Sequence, residues 1–148
     1  MAHSKTKIWL HVVFSTKNRL PLLTPALRQR TYELLKTELI QLGCYVDCIN
    51  GVEDHIHLLF AMTPRLPVQE VIKQIKGSTS HTINQKQWSP ERFAWQTGYG
   101  AFSVSQGHIA RVRNYIARQE EHHQAQTFTD EYARFMRHYE LELTDADK

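Results

Sequence analysis

The sequence predicts an α+β fold built on an antiparallel sheet, and three observations support this prediction. Four short apolar runs have the composition of strands, two segments between them carry helical apolar spacing, and two of the runs are separated by only a few polar residues. Strands joined so closely form a hairpin, and the helical segments separate the other strands. The 148 residues are 41% hydrophobic and 22% charged, which suffices for one domain with its own core and excludes a disordered or fibrous chain.

The first half of the chain is predicted to contain a strand, a helix and a hairpin. Residues 8–14 (IWLHVVF) are rich in β-branched and aromatic side chains, which favours a strand. The helix begins at the Thr-Pro pair 24–25, an N-cap followed by proline at the first helical position, and stops at Gly43. Residues 44–52 and 55–62 are apolar runs joined through an Asn-Gly turn signal, which predicts the hairpin.

The second half completes the pattern. A second helix is predicted after Pro67, and residues 93–104 predict a fourth strand that is bulged or interrupted at its glycines. Residues 105–124 then predict a long helix, followed over 125–148 by a short helix and an acidic tail. The order β-α-β-β-α-β is the ferredoxin-like pattern, an antiparallel sheet with helices on one face, and the long helix is added at its C-terminal end. We expect a single domain over residues 1–148, with its core at about 8–124.

The charge alternates in sign along the chain. The net charge is +3, but residues 1–40 carry +5 and residues 65–119 carry +6, whereas residues 41–64 carry −3 and residues 120–148 carry −5. Two basic stretches are compatible with a polyanionic partner, and a solvated surface of mixed charge is the alternative.

The compartment is expected to be the cytoplasm. No apolar run approaches the roughly 18 residues that a membrane span needs, and the N-terminal residues do not resemble a secretory signal. The two cysteines, Cys44 and Cys48, lie on one predicted strand, where their sulfur atoms are too far apart for a disulfide.

A His-Ile-His triplet lies on the third predicted strand. Side chains alternate along a strand, so His55 and His57 face the same way while Ile56 faces the other. Two imidazole ligands are thereby presented together to a metal ion. The alternative is a pair of ordinary surface or hydrogen-bonded histidines.

The final long helix carries a second polar group of residues. Tyr115 and Gln119 are four residues apart and therefore share a face, with Arg111 and Arg118 on the same side. Tyr115 lies at the margin of the apolar stripe, among cations and amides, as a reactive tyrosine would. A tyrosine that simply packs at the edge of the core is the alternative.

These motifs together resemble a known enzyme family. Residues 53–59 (EDHIHLL) and 115–123 (YIARQEEHH), supported by 11–19, 75–80 and 95–105, are similar to the single-tyrosine HUH transposases of small bacterial insertion sequences. Each piece is weak alone, but the set occurs in the family's order and covers about residues 8–124.

The resemblance implies a metal-assisted reaction on single-stranded DNA. His55 and His57 would bind a divalent cation, Mg²⁺ or Mn²⁺, with Gln119 as the third ligand. Tyr115 would attack a phosphodiester at a transposon end, leaving a 5′-phosphotyrosine and a free 3′-hydroxyl that permits rejoining. The family's substrates carry hairpins, and two subunits pair so that one can complete the site of the other; no membrane partner is expected.

Further residues have two interpretations each. Candidate phosphate contacts are the cations Lys17, Arg19, Lys76, Arg111 and Arg118. His11 could support the metal site or simply pack, and Gly107 could be a hinge or a tolerated first-turn glycine. The strand-four aromatics could stack on bases, although filling the core is the more ordinary role; they are Trp95, Tyr99 and Phe102.

Two other functions stay open at this level. A ferredoxin-like sheet with aromatic strands and basic flanks can bind single-stranded nucleic acid without catalysis. A host-adopted HUH nuclease acting on repeated hairpins would share the same motifs. A covalent protein–DNA adduct distinguishes the catalytic functions from the binding module.

Overall fold

A computed structural model describes residues 4–121 and 127–138. The regular elements are β1 (Trp9–Ser15), α1 (Pro25–Gln41), β2 (Tyr45–Gly51), β3 (His55–Ala61), α2 (Val68–Gln85), β4 (Gly100–Val104), α3 (Ile109–Ala117) and α4 (Phe128–His138), with 3₁₀ turns at Lys17–Arg19 and Gln106–His108. Within these residues, no helix is long and apolar enough to cross a membrane.

The four strands form one antiparallel sheet in the order β2-β3-β1-β4. The predicted α+β, ferredoxin-like class is therefore confirmed. The two central strands pair so that Val13 lies opposite His57 and Ser15 opposite His55. Every residue of β1 and β3 is buried, so both faces of the sheet centre are covered.

The larger core lies between the sheet and the first two helices. Alternate residues of β1 and β3 pack there against the apolar sides of α1 and α2; they are Leu10, Val12, Phe14, Ile56, Leu58 and Phe60. Helix α1 begins as its sequence predicts, with Thr24 Oγ1 accepting a hydrogen bond from the Leu27 N–H and Pro25 in the first turn.

The opposite face of the sheet is covered by the C-terminal helices. Ile109 and Ile116 of α3 join Trp9, Leu59 and Ala61 in a second cluster. Met136 of α4 packs with Val13 and Phe102 in a third. The prediction of helices on one face thus holds for α1 and α2 alone, because α3 and α4 occupy the other face.

The fourth strand is shorter than predicted. The regular strand spans Gly100–Val104 rather than 93–104, and before it the chain makes an isolated bridge between Thr16 and Trp95, so the predicted interruption near the glycines is present. Lys76 Nζ donates to the carbonyls of Gln96 and Gly98, each at 2.7 Å, and Gly98 adopts a φ of +92°. These carbonyls are hydrogen-bonded to the lysine instead of to β1, so the ladder starts only at Gly100.

The predicted single long helix over 105–124 is also wrong in the part that the structure describes. A 3₁₀ turn precedes α3, which ends at Ala117, and Arg118 leaves the helical conformation with φ −105° and ψ 28° before helical residues resume at 119–121. Asn50 Nδ2 donates to the carbonyl of Ile116 at 2.9 Å and to that of Ala117 at 3.4 Å, satisfying the end of α3.

The short final helix is confirmed as α4. The remainder of the predicted long helix, residues 122–124, and the acidic tail from 139 onward lie outside the described residues.

Truncating a central core residue tests this arrangement. Leu58→Ala should lower the free energy of unfolding by about 2–5 kcal/mol, because the fully buried side chain leaves a cavity between the sheet and α2. Ile40→Ala on α1, 53% exposed, should cost less than about 1 kcal/mol. Urea unfolding of both variants measures the difference, and equal losses would contradict the assigned core.

Candidate active site and metal centre

The two histidines of β3 lie at the centre of a buried polar cluster. His55 and His57 have no exposed surface, and both face the α3 and α4 side of the sheet while Ile56 and Leu58 enter the opposite core. Strand alternation alone predicts this shared direction. The structure adds that neither histidine is a surface residue.

Each imidazole is oriented by a second contact. His55 Nδ1 lies 2.8 Å from Asp54 Oδ1, and His57 Nδ1 lies 2.8 Å from His11 Nε2 on the neighbouring strand. Burial and the nearby His57 lower the pKa of His11 to about 3, so His11 is neutral and the two rings share one N–H···N hydrogen bond. Both Nε2 atoms are thereby directed at the interior of the cluster.

Gln119 is buried beside the histidines. Its Oε1 lies 3.2 Å from His55 Nε2, and its Nε2 lies 3.5 Å from the carbonyl of Tyr115. A glutamine taken by itself is expected to be solvent-exposed, but Gln119 lies three residues after the buried Ile116, on the apolar side of the helix.

Glu131 is the site residue that sequence reasoning missed. It lies on α4 with 2% exposure, and its Oε1 is 2.5 Å from His57 Nε2 and 3.7 Å from His55 Nε2. A signal was present, because Glu131 lies three residues after Phe128, a spacing that puts it beside an apolar residue of the same helix face. A carboxylate at such a position needs a buried partner.

Within the cluster, a protonated histidine lies close to an ionised carboxylate. Burial by itself would lower the pKa of His55, but Asp54 and Glu131 outweigh it and raise the pKa to about 9. Burial opposes ionisation of Glu131, but His55 and His57 hold its pKa well below the usual range. The site therefore stabilises positive charge between its imidazoles and its carboxylate.

This donor set fits a divalent metal ion. The ligand atoms of His55, His57 and Glu131 lie within 4.8 Å of one another. Among the residues that the structure describes, Glu131 Oε1 has no hydrogen bond of regular geometry, although it is buried. Imidazole nitrogens with carboxylate and amide oxygens are ordinary ligands for divalent ions.

Tyr115 lies next to these ligands. Its ring centroid is 5.9 Å from that of His57 and 6.3 Å from that of His11. Burial raises the pKa of the phenol, and the Glu131 carboxylate raises it further, so the hydroxyl is protonated at neutral pH. Beside it opens a cavity of about 580 Å³, lined by residues that include Arg111, Arg134 and Arg137.

The other predicted cations have different surroundings. Arg19 lines a second cavity, of about 420 Å³, between the first 3₁₀ turn and α4, and it hydrogen-bonds Thr129. Lys17 is exposed in the same turn, and Arg118 pairs with Glu121 at 2.9 Å. Lys76 is half-buried, and its Nζ donates to the carbonyls of Gln96 and Gly98 in the loop before β4 and lies 5.4 Å from the centroid of the Phe14 ring.

The structure also describes the surroundings of Trp95, Phe102 and Gly107. Trp95 packs edge-on against Phe14 and Phe93, each with ring centroids 4.8 Å apart, and Phe102 is buried. Gly107 lies exposed in the second 3₁₀ turn, with open space where a Cβ would be.

A sheet of this topology, with paired inward histidines beside a helix-borne tyrosine, agrees with the resemblance of the motifs to the HUH transposases. Residues 4–119 match the family model described as "Transposase IS200 like". The chain therefore belongs to the IS200-like transposase family, as its motifs predict.

One curated relative and two solved structures are similar to this chain. The ISDra2 transposase TnpA of Deinococcus radiodurans is 24% identical over 118 residues, covering 75% of this chain and 83% of the relative. A crystal structure described as a candidate transposase from D. radiodurans R1 has a TM-score of 0.60 at 22% identity, covering 80% of this chain and 98% of the other. A REP-associated tyrosine transposase bound to a REP hairpin has a TM-score of 0.56 at 12% identity, with 84% and 74% covered.

Removing the Asn50 amide tests how α3 is held. Asn50→Ala should lower the local free energy of opening near Tyr115 by about 0.5–1.5 kcal/mol, because the Ile116 and Ala117 carbonyls lose their donor. Hydrogen–deuterium exchange over residues 112–119 measures this change. Asn114→Ala, exposed on the same helix, is the control. Unchanged protection in the Asn50 variant would contradict the anchoring role.

Proposed function

We propose that this transposase cleaves and rejoins single-stranded DNA at transposon ends through a 5′-phosphotyrosine intermediate, with help from a divalent metal ion. The observation that carries the proposal is the convergence of Tyr115 with His55, His57 and Gln119, whose side chains come from β3 and the region of α3. A binding module needs no such combination of nucleophile and metal ligands.

Tyr115 is the proposed nucleophile. Its phenolic oxygen forms a bond to the phosphorus of the scissile phosphodiester, and the bond from phosphorus to the 3′-oxygen breaks. The phenol loses its proton in this step, and the leaving 3′-oxygen gains one to become a hydroxyl. Attack by a 3′-hydroxyl reverses the exchange, so strands are rejoined without an external energy source.

The proposed metal ligands are His55, His57 and Gln119, and the proposed ion is Mg²⁺ or Mn²⁺. When bound, the ion would polarise the scissile phosphate and offset the charge developing on its oxygens. His11 and Asp54 fix the two rings so that each Nε2 is presented to the ion.

Cations around the site are the proposed contacts for the DNA backbone. Arg111 lines the cavity next to Tyr115, and Arg19 lines the cavity between the first 3₁₀ turn and α4. Lys17, Arg118 and Lys76 are proposed as supporting phosphate contacts. The hairpin bound to the solved relative supports a substrate that carries a hairpin at its end, and we further propose that two copies of the chain pair and share their active sites.

Replacing the nucleophile gives the decisive test. Tyr115→Phe should abolish the covalent protein–DNA adduct on hairpin-bearing single-stranded DNA with Mg²⁺ or Mn²⁺, because only the attacking hydroxyl is lost. DNA affinity should change by less than about twofold. The adduct is measured on a denaturing gel and located by peptide mapping.

Tyr45→Phe is the matched control, since Tyr45 is 61% exposed on the edge strand β2. It should form the adduct at the normal rate. An adduct that persists in the Tyr115 variant contradicts the nucleophile, and its absence from the native protein on all hairpins and with both ions favours the binding module.

The metal requirement is tested at the histidines. His57→Ala should lower metal-dependent cleavage by at least about 100-fold, because the ion loses a buried ligand. Mn²⁺ should raise the unfolding temperature of the native protein, and His57→Ala should remove that rise. His81→Ala, an exposed histidine of α2, should behave as the native chain in both measurements. Cleavage by the His57 variant at the native rate would overturn the metal assignment.

A further inference from the structure

Glu131 lies in the site although it comes from outside the region that matches the family. The family match ends at residue 119, and Glu131 follows on α4, within hydrogen-bonding or ion-pair distance of both histidines of β3. Burying a carboxylate is costly unless a cation or several donors compensate it. Its position therefore indicates a role in the cluster.

Helix α4 is held against the sheet by contacts that precede and follow Glu131 along the chain. The ring of Phe128 lies 4.6 Å from that of His55, centroid to centroid, and Met136 packs against Val13 and Phe102. Arg19 hydrogen-bonds Thr129 at the start of the helix. These contacts lie on both sides of Glu131 along the chain, so its backbone is fixed over the two imidazoles.

The spacing of the donor atoms suits a common ion. Neighbouring ligands of an octahedral ion bound at about 2.1 Å lie about 3.0 Å apart. Glu131 Oε1 is 2.5 Å from His57 Nε2 and 3.7 Å from His55 Nε2, so shifts of about half an ångström to an ångström bring both separations to that value. Gln119 Oε1 lies 3.2 Å from His55 Nε2, which is already close to that separation.

The chemistry of the donors supplies the second argument. Two imidazoles and an amide are neutral, and such a set favours softer divalent ions over magnesium. A carboxylate oxygen is a hard, charged ligand of the kind that magnesium and manganese prefer. The proposed ligands His55, His57 and Gln119 lack this ligand type.

The geometry points to Glu131 as an additional ligand of the metal ion, one that biases the site toward Mg²⁺ and Mn²⁺. This inference rests on the proposed function of the site and assigns its ion selectivity to a residue of α4. Docking of α4 and loading of the metal are then thermodynamically linked, because the same carboxylate takes part in both.

The experiment titrates the full-length protein with Mn²⁺ by calorimetry, without DNA. Glu131→Gln keeps the size of the side chain and should weaken Mn²⁺ binding about 10- to 100-fold. Asp130→Asn, the same change at the adjacent exposed position of α4, should leave the affinity within about twofold. Circular dichroism and thermal unfolding confirm that each variant is folded.

A spectroscopic measurement separates a ligand from a residue that only supports the helix. The visible absorption of the Co²⁺-loaded protein responds to the atoms bound to the ion, so Glu131→Gln should change its bands and Asp130→Asn should not. Glu131→Asp, which keeps the carboxylate on a shorter side chain, should recover Mn²⁺ affinity relative to Glu131→Gln.

The outcomes distinguish this inference from the proposed function. If His57→Ala abolishes Mn²⁺ binding while Glu131→Gln leaves both affinity and Co²⁺ bands unchanged, the histidine site stands and the role of Glu131 is overturned. Tighter Mn²⁺ binding in Glu131→Gln also overturns it, since the carboxylate would then occupy the site in competition with the ion. If neither the native protein nor any variant binds Mn²⁺, the metal assignment of the proposed function fails as well.

Discussion

The register between the two central strands is the constraint on which the site depends. Val13 opposite His57 and Ser15 opposite His55 fix which face of β3 carries the imidazoles, and His11 on β1 is brought within 2.8 Å of His57. A slip of one residue would turn both histidines into the apolar core and expose Ile56 and Leu58 to the polar cluster. The burial of Leu58 and Phe60 against α2 therefore enforces the chemistry on the other face.

The fold and the histidine pair could be predicted because they depend on local periodicity. Alternation along residues 55–57, the Thr-Pro start of α1 and the order of the elements all follow from rules with a range of a few residues. The early end of α3 could not, since it depends on Asn50, 66 residues from Ile116 along the chain. The short β4 similarly depends on Lys76, from the preceding helix.

The site residues divide in the same way. Tyr115 and Gln119 belong to one motif, and Gln119 lies three residues after the buried Ile116, so its burial agrees with helical spacing although glutamine is usually exposed. Glu131 belongs to neither motif, and its place depends on how α4 packs on the sheet. Tertiary packing that brings a carboxylate to a distant histidine pair leaves only a faint local signal, an acidic residue among apolar ones.

The hydrogen bonds of Lys76 hold part of the wall of the cavity between the first 3₁₀ turn and α4. Gln96, Thr97 and Gly98 form part of its wall, and the lysine that holds two of their carbonyls belongs to α2 on the opposite face of the sheet. Opening this loop therefore requires breaking contacts to a core helix, which gives the wall more resistance to local unfolding than an untethered surface loop has. A ligand entering the cavity meets a preorganised surface and loses little affinity to ordering it.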